Sequence, residues 1–270
     1  MQQPMLNMAV RAARRAGTVI IRSLEKRDDL EIETKSKNDF VTEVDRQAEA
    51  PIIDILHKAY PSHSILAEES GNSGATEKNS DYQWIIDPLD GTTNFLHGNP
   101  QFSVSIALKH KENIEQAVIY DPLREDLYTA SRGKGALLNN RRIRVSKSTT
   151  LEGALLGTGF PFKQKEHLDT YLDTFKALFA YASDMRRPGS AALDLAYVAS
   201  GQLDGFWELG LQKWDMAAGV LLIQEAGGLV GDFSGGSEYM NTGNIVAGNP
   251  KVFKGILETI KPHLSEELKK

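Results

Sequence analysis

Trp84-Ile85-Ile86-Asp87-Pro88-Leu89-Asp90-Gly91-Thr92-Thr93-Asn94-Phe95 passes from an apolar run into acids, then into turn and capping residues. Tyr82 to Ile86 reads as a buried strand, with Asp87 at its end. Pro88 fixes its own φ and carries no N–H, so the chain turns there. Asp90-Gly91 is a turn dipeptide, and Thr92-Thr93-Asn94 offers N-capping side chains to a following helix. Asp87 and Asp90, on one strand-to-helix turn, can point to one spot, together with carbonyls that the turn leaves unpaired. A helix N-terminus aimed at that spot favours an anion. Hard oxygen ligands beside an anion site suggest Mg²⁺ and a phosphate ester. Taken alone, Asp-Pro and Asp-Gly are ordinary turn formers, and two acids at this spacing are more often solvated surface.

The longer string resembles the first signature of the inositol monophosphatase family, carried by Asp87-Pro88-Leu89-Asp90-Gly91-Thr92-Thr93-Asn94-Phe95. Trp214-Asp215-Met216-Ala217-Ala218-Gly219, followed by Glu225-Ala226-Gly227-Gly228, is similar to the second. Glu68-Glu69-Ser70 and Asp39-Phe40-Val41-Thr42-Glu43-Val44-Asp45 resemble the remaining metal-site segments, in the right order. The resemblance covers nearly the whole chain. It implies a mixed α/β fold, the five-layer α-β-α-β-α sandwich, and a homodimer.

Bulk properties are those of a soluble globular protein. The chain has 270 residues, 41% hydrophobic and 25% charged, enough for a sizeable core in one large domain or two lobes. Acids outnumber Lys and Arg, 36 to 31, so nothing implies a general affinity for nucleic acid. Cysteine is absent, which excludes disulfides and thiolate metal sites and fits a reducing, cytoplasmic location. No apolar run approaches the roughly 20 residues that cross a bilayer.

Met1 to Leu24 carries Arg11, Arg14, Arg15 and Arg22 and no acid, as an organelle leader can. However, Met5, Met8, Ala9, Ala12, Ala16, Val19 and Ile20 make a core-facing stripe, so the segment reads as a structural helix. A short strand is expected around Leu30 to Thr34 and a helix from Asp45, with Pro51 kinking it or splitting it in two. Ser64 to Ala67 reads as a strand and Gly71 to Asp81 as a loop. Alternation at Phe102, Val104, Ile106 and Leu108 opens a series of strands: Ile114–Tyr120, Leu127–Ser131 and, after the Asn139-Asn140 hairpin, Ile143–Val145. This suggests an antiparallel or mixed sheet.

Near Ser146 the character changes, which places a lobe boundary between residues 1–145, with most metal ligands, and 146–270, completing the site. Ala154–Gly157 and Leu203–Glu208 read as strands. Leu168, Tyr171, Leu172, Phe175, Leu178 and Phe179 predict an amphipathic helix. Ser190 to Ala199 predicts another, ended by Gly201. Asp215 falls in the first turn of a helix reaching about Ala226. Asn244–Ala247 is a last strand, and Pro250 suits the start of a final helix.

By position, the resemblance implies Glu68, Asp87 and the Leu89 carbonyl as ligands of a first Mg²⁺ and Asp87, Asp90 and Asp215 of a second. A third, weaker ion near Glu68 is described for the family, as is Li⁺ inhibition at the second position. Asp45 and Thr92 are implied to hold the attacking water, and with Glu68 they form the catalytic set. The implied substrate set is Asp90, Gly91, Thr92, Gly189, Ser190, Ala191, Glu208 and Asp215. Within it, Glu208 accepts inositol hydroxyls, and Gly189 to Ala191 line the sugar pocket. Lys35 resembles a lysine near the phosphate, with Lys37 a rival; Glu69 is either a supporting group or simply exposed.

Asp45 as a helix cap, Asp215 as a dipole partner and Glu208 as a strand end are the bland alternatives. No phosphate-binding G-x-x-x-x-G-K-[ST] loop, G-x-S-x-G elbow or H-E-x-x-H occurs. The expected activity is Mg²⁺-dependent hydrolysis of inositol 1-phosphate and related polyol or sugar phosphates. Pro4-Met5-Leu6-Asn7, Gly159-Phe160-Pro161-Phe162, Arg186-Arg187 and Ser190-Ala191-Ala192-Leu193-Asp194-Leu195-Ala196-Tyr197 resemble the family's bacterial branch. That branch implies a second role, in ribosomal RNA transcription antitermination, with RNA polymerase and elongation factors as partners. The basic cluster Arg141, Arg142, Arg144 and Lys147 reads as a solvated hairpin.

Overall fold

The computed structural model describes residues 4–25, 32–36, 39–74 and 80–269. In chain order the first half contains α1 (Pro4–Leu24), β1 (Ile32–Ser36), β2 (Asp39–Thr42), α2 (Glu43–Ala59), β3 (Ser64–Ala67), β4 (Gly71–Gly74), β5 (Tyr82–Asp90) and α3 (Thr92–Leu96). The strands β6 (Ser103–His110), β7 (Asn113–Asp121), β8 (Asp126–Ser131), β9 (Gly135–Leu138) and β10 (Arg141–Arg142) follow. The second half holds β11 (Leu155–Thr158), α4 (Leu168–Phe179), β12 (Asp184–Arg186), α5 (Ala191–Ser200), β13 (Gly205–Glu208) and α6 (Lys213–Glu225). It closes with β14 (Leu229–Gly231), α7 (Tyr239–Thr242), β15 (Ile245–Gly248) and α8 (Pro250–Ile260).

Two mixed sheets carry the fold. An eight-stranded sheet runs β10-β9-β8-β7-β6-β5-β3-β4, and a five-stranded one runs β12-β11-β13-β15-β14. Helices α1 and α2 pair on the outer face of the first sheet. Helices α5 and α6 pair between the sheets, α6 against β5 to β8 and α5 against β13 and β15. Helices α4 and α8 cover the far face, α8 against β13 to β15. The order is the expected α-β-α-β-α sandwich.

Apolar patterning explains each layer. Leu6, Ala9, Ala12, Ala13, Ala16 and Ile20 make one buried stripe on α1, so the arginine-bearing N-terminal segment packs as a helix. Helices α5 and α6 are buried nearly all round, as a central layer requires, and pack with Ile85, Ala107, Ile119 and Phe206 of the flanking sheets.

Several local expectations need correction. Pro51 does not split α2, which runs unbroken from Glu43 to Ala59. Gly71–Gly74 is not loop but strand β4, because pairing with β3 needs only backbone groups. Residues 75–79 lie outside the described residues, as do Leu30, Glu31 and Lys37, while Lys35 falls in β1. Of the expected Ile143–Val145 strand, only the preceding Arg141–Arg142 pairs, beyond a hairpin in which Asn139 and Asn140 both take positive φ. Helix α4 has the expected bounds, but its apolar face is only partly covered: Tyr171, Thr174 and Leu178 are buried, whereas Leu168, Leu172 and Phe179 are exposed.

Strand β5 does not end at Asp87. Its register with β6 is interrupted after Asp87↔Ser105 and resumes at Asp90↔Ser103. Pro88 sits in that irregularity, where no ladder N–H is required of it. Helix α3 is capped by Gly91, in the left-handed region at φ 96°, and not by the Thr or Asn side chains. Only glycine fits there without strain, and a Cβ would also come 2.8 Å from the Gln101 carbonyl oxygen.

Candidate metal centre and substrate cavity

The bulge in β5 aims Asp87 and Asp90 to one side, and the sheet brings the other acids to them. Glu68 follows β3, the parallel neighbour of β5, and its N–H donates to the Ile86 carbonyl at 3.1 Å. The turn after it is held by a buried acid that sequence reasoning missed. The Glu49 carboxylate accepts the N–H groups of Glu69 and Ser70 at 2.9 and 3.0 Å. Glu69 itself is half-buried.

Asp215 arrives from the opposite layer. Ser105, register partner of Asp87, donates its hydroxyl to the Trp214 carbonyl at 3.1 Å and so anchors the start of α6. The Asp215 carboxylate also accepts the Gln212 N–H at 2.7 Å, which ties it to the start of α6. Asp90 is fixed by α5, whose N-cap Ser190 donates a short hydrogen bond to it while the Ala192 N–H donates at 2.8 Å.

One carboxylate oxygen from each of Asp87, Asp90 and Asp215 lies within 4.8 Å of the others. Glu68 shares a side-chain hydrogen bond with Asp87. Burial, then the charges of Glu68, Asp90 and Asp215, hold the Asp87 carboxyl well above the usual range. Burial raises Asp90, against the opposing hydrogen bonds from Ser190 and the α5 backbone. Burial, and then Asp90, push Asp215 up to about 7. Such a cluster is costly unless protons or cations sit among the acids. The donors are all hard oxygens, and among the described residues neither cysteine nor histidine lines the cavity, so the set fits Mg²⁺ and not a softer ion.

Thr92 joins this wall. Its Oγ1 lies 2.9 Å from Asp45 Oδ1 and 3.1 Å from the Leu89 carbonyl oxygen. Asp45 is buried in the first turn of α2. The Leu89 N–H is taken by Asp87 Oδ1 at 2.9 Å, which tightens the turn.

These residues open onto a cavity of about 470 Å³ that also receives Gly91, Gly189, Ser190, Ala191 and Glu208. Asp45 is not part of its lining; it meets the wall through Thr92. Glu208 ends β13, where burial pushes its carboxyl up to about 8 against the pull of Arg187. The space it fills exists because residue 159 is glycine: a Cβ there would stand 1.9 Å from Glu208 Oε1.

Sequence reasoning assigned no role to Lys163 or Lys165, both in the lining, nor to Asp194 and Arg187 beyond their places in branch motifs. Arg187 lies over the rings of Phe160 and Phe162, 5.3 and 5.0 Å from their centroids. That stacking joins segments about 25 residues apart in the chain, so it is visible only in the fold, as are the places of the lysines and Asp194 in the lining.

The model of the inositol monophosphatase family matches residues 1–265. The chain belongs to this family. Within it, the chain is 57% identical over 270 residues to the Nus factor SuhB of Pseudomonas aeruginosa, covering 99% of this chain and 100% of that one. The crystal structure of extragenic suppressor protein suhB from Bartonella henselae superposes with a TM-score of 0.93 at 44% identity, over 97% of this chain and 100% of that one. The inositol monophosphatase of Anabaena (Nostoc) gives 0.85 at 39% identity, over 95% of each chain. The fold of this inositol monophosphatase family member is therefore the family's. Among its described residues no helix is long and apolar enough to cross a membrane.

One prediction concerns the buried support. Glu49→Gln keeps the shape, but its single amide oxygen can accept only one of the two N–H groups of the Glu68-Glu69-Ser70 turn that the two carboxylate oxygens take. The expected cost is about 1–2 kcal/mol of stability, with a several-fold rise in the Mg²⁺ concentration needed for half-maximal activity. Urea unfolding and a Mg²⁺ titration measure both; an unchanged Mg²⁺ requirement would sever Glu49 from the site.

Proposed function

We propose that this protein is a Mg²⁺-dependent phosphatase of myo-inositol 1-phosphate and related polyol or sugar monophosphates. The observation that carries this reading is the meeting of Asp87, Asp90 and Asp215 within 4.8 Å, on the wall of a cavity whose lining also includes Glu208. In it Asp87, Asp90 and Asp215 with Glu68 and the Leu89 carbonyl would hold two or three Mg²⁺ ions, which when bound would supply Lewis acidity toward a water and the leaving oxygen.

The protein's own groups do the rest. Thr92 gives its proton toward Asp45 and so turns a lone pair to the attacking water, orienting it. Ser190 and the Ala192 N–H keep Asp90 in place as charge develops. Glu208 accepts ring hydroxyls, and Gly189, Ser190 and Ala191 shape the pocket around the polyol. The Gly91–Thr92 turn lies alongside the phosphate. The protein works as a cytoplasmic homodimer, which light scattering on the eluting peak checks.

The test is phosphate release from inositol 1-phosphate, glycerol phosphates and sugar phosphates, with Mg²⁺ omitted in one arm and Li⁺ added in another. We expect Mg²⁺-dependent, Li⁺-inhibited release, fastest with polyol monophosphates. Release from none of them in Mg²⁺ would sink the reading.

A second reading has its own support, the likeness to Nus factor SuhB at 57% identity. In it the protein is an accessory factor of ribosomal RNA transcription antitermination that binds RNA polymerase and elongation factors, with catalysis dispensable. Rescue of a deletion strain by Asp90→Asn separates the roles. Rescue favours binding; failure, with the variant folded and present, favours chemistry.

A further inference from the structure

Asp194 stands one helical turn beyond the Ser190 cap of α5 and is only 1% exposed, yet it lines the substrate cavity. Its Oδ1 is buried and has no hydrogen-bond partner among the described residues. This is unlike the acids around it. Asp90 is met by Ser190 and the Ala192 N–H, Asp215 by the Gln212 N–H, and Asp87 by the Leu89 N–H. A buried carboxylate oxygen without a donor is costly, and on the wall of a cavity it is open to completion by a ligand or a water.

The surroundings narrow the ligand. Burial holds Asp194 well above the usual carboxylate range; Glu208 and then Asp90 push it the same way, and Arg187 opposes them. Among the charged groups that act on it Glu208 weighs most, and Glu208, the acid already assigned to the polyol, lines the same cavity. Two acceptor-rich carboxyls in one part of a cavity match a ligand that offers several donors without adding negative charge. An uncharged polyhydroxylated ring does so. A second phosphate or a carboxylate on that ring does not.

We propose that Asp194 is a second polyol-recognition residue, its carboxyl accepting a ring hydroxyl of the substrate beside the one accepted by Glu208. The inference rests on the phosphatase reading and refines it. Asp194 contributes specificity for hydroxylated leaving groups; the phosphate and the attacking water are handled at the other wall.

The experiment compares kcat/KM for myo-inositol 1-phosphate with that for 4-nitrophenyl phosphate, whose ring carries no hydroxyl, in the wild type, Asp194→Asn and Asp194→Leu. Asn retains an acceptor without charge, and Leu retains only the bulk. The expected result is a fall in the selectivity ratio of about threefold for Asn and tenfold or more for Leu, carried mainly by KM for the inositol ester. Thermal melts report the fold, and removal of an unpaired buried acid is expected to raise the midpoint, not lower it.

A selectivity ratio unmoved in both variants, with the two substrates losing rate together, assigns Asp194 a purely structural role and overturns the inference alone. A wild type that shows no preference for the inositol ester overturns the polyol reading, and the inference with it. Should Leu fail to fold, the Asn ratio decides.

Discussion

Asp90→Asn is expected to lower Mg²⁺-dependent phosphate release from inositol 1-phosphate at least about a thousandfold, which corresponds to about 4 kcal/mol of lost transition-state stabilisation. Asp90 is the acid at which both halves of the chain meet: it belongs to the cluster with Asp87 and Asp215, and it takes the Ser190 hydroxyl and the Ala192 N–H. The amide keeps an oxygen that can still accept those two donors, so the packing of α5 against β5 survives. What it loses is the charge, and with it one of the hard ligands the cation needs. Fold and chemistry are thereby separated in one substitution. Because Asp90 also raises Asp215, its neutralisation relieves repulsion, and the metal-free variant should melt no lower than the wild type. Circular dichroism melts and phosphate release across a Mg²⁺ titration make the check. Turnover within tenfold of the wild type at saturating Mg²⁺ would remove Asp90 from the metal site.

What the sequence made legible was whatever depends on local pattern. Periodicity placed α4, with Leu168 and Phe179 as its ends, and Pro250 marked the first residue of α8. The turn chemistry of Asp87 to Gly91 and the family's segments pointed to the acids that the fold brings together. Long-range backbone pairing was hidden. Nothing in the composition of Gly71–Gly74 announces a strand, because β4 owes its existence to the neighbouring edge of β3. The exposure of Leu168, Leu172 and Phe179 was equally hidden, since an apolar stripe says that a face is sticky and not whether this chain covers it. Single acids were the hardest to judge. Glu49 and Asp194 sit on helices among other residues, and only the fold shows that one anchors a turn while the other is left with an unpaired oxygen.

Metal-free protein is expected to lose thermal stability as pH rises from 6.5 to 8, and Mg²⁺ should restore it most at the upper end. Asp215 and Glu208 ordinarily release their protons near 3.8 and 4.5 but hold them to about 7 and 8 in the folded chain. Over that interval the native state binds protons that the unfolded chain has given up, so each rise in pH favours unfolding. For these two acids the loss begins at the ordinary values and is complete above about 8, and burial raises Asp87, Asp90 and Asp194 in the same direction.

Buried His63 works in the opposite direction: burial lowers its pKa from 6.5, so it costs stability as pH falls through that value, and its effect fades within about one unit above it. The interval from 6.5 to 8 is therefore dominated by the acids. A decline in midpoint of about 5 °C or more is expected there, given 2–4 °C per kcal/mol for a chain somewhat smaller than this one. Calorimetric scans in a chelator at both pH values, repeated with excess Mg²⁺, measure it. Ligand linkage adds stability only to the state that binds, so the Mg²⁺ increment should grow with pH as the acids lose the protons that compete for the site. Asp90→Asn should flatten the metal-free decline, since the charge that lifts Asp215 is gone. A midpoint that stays level or climbs toward pH 8 without metal would show that these carboxylates do not strain one another, and the electrostatic case for a cation among them would fail.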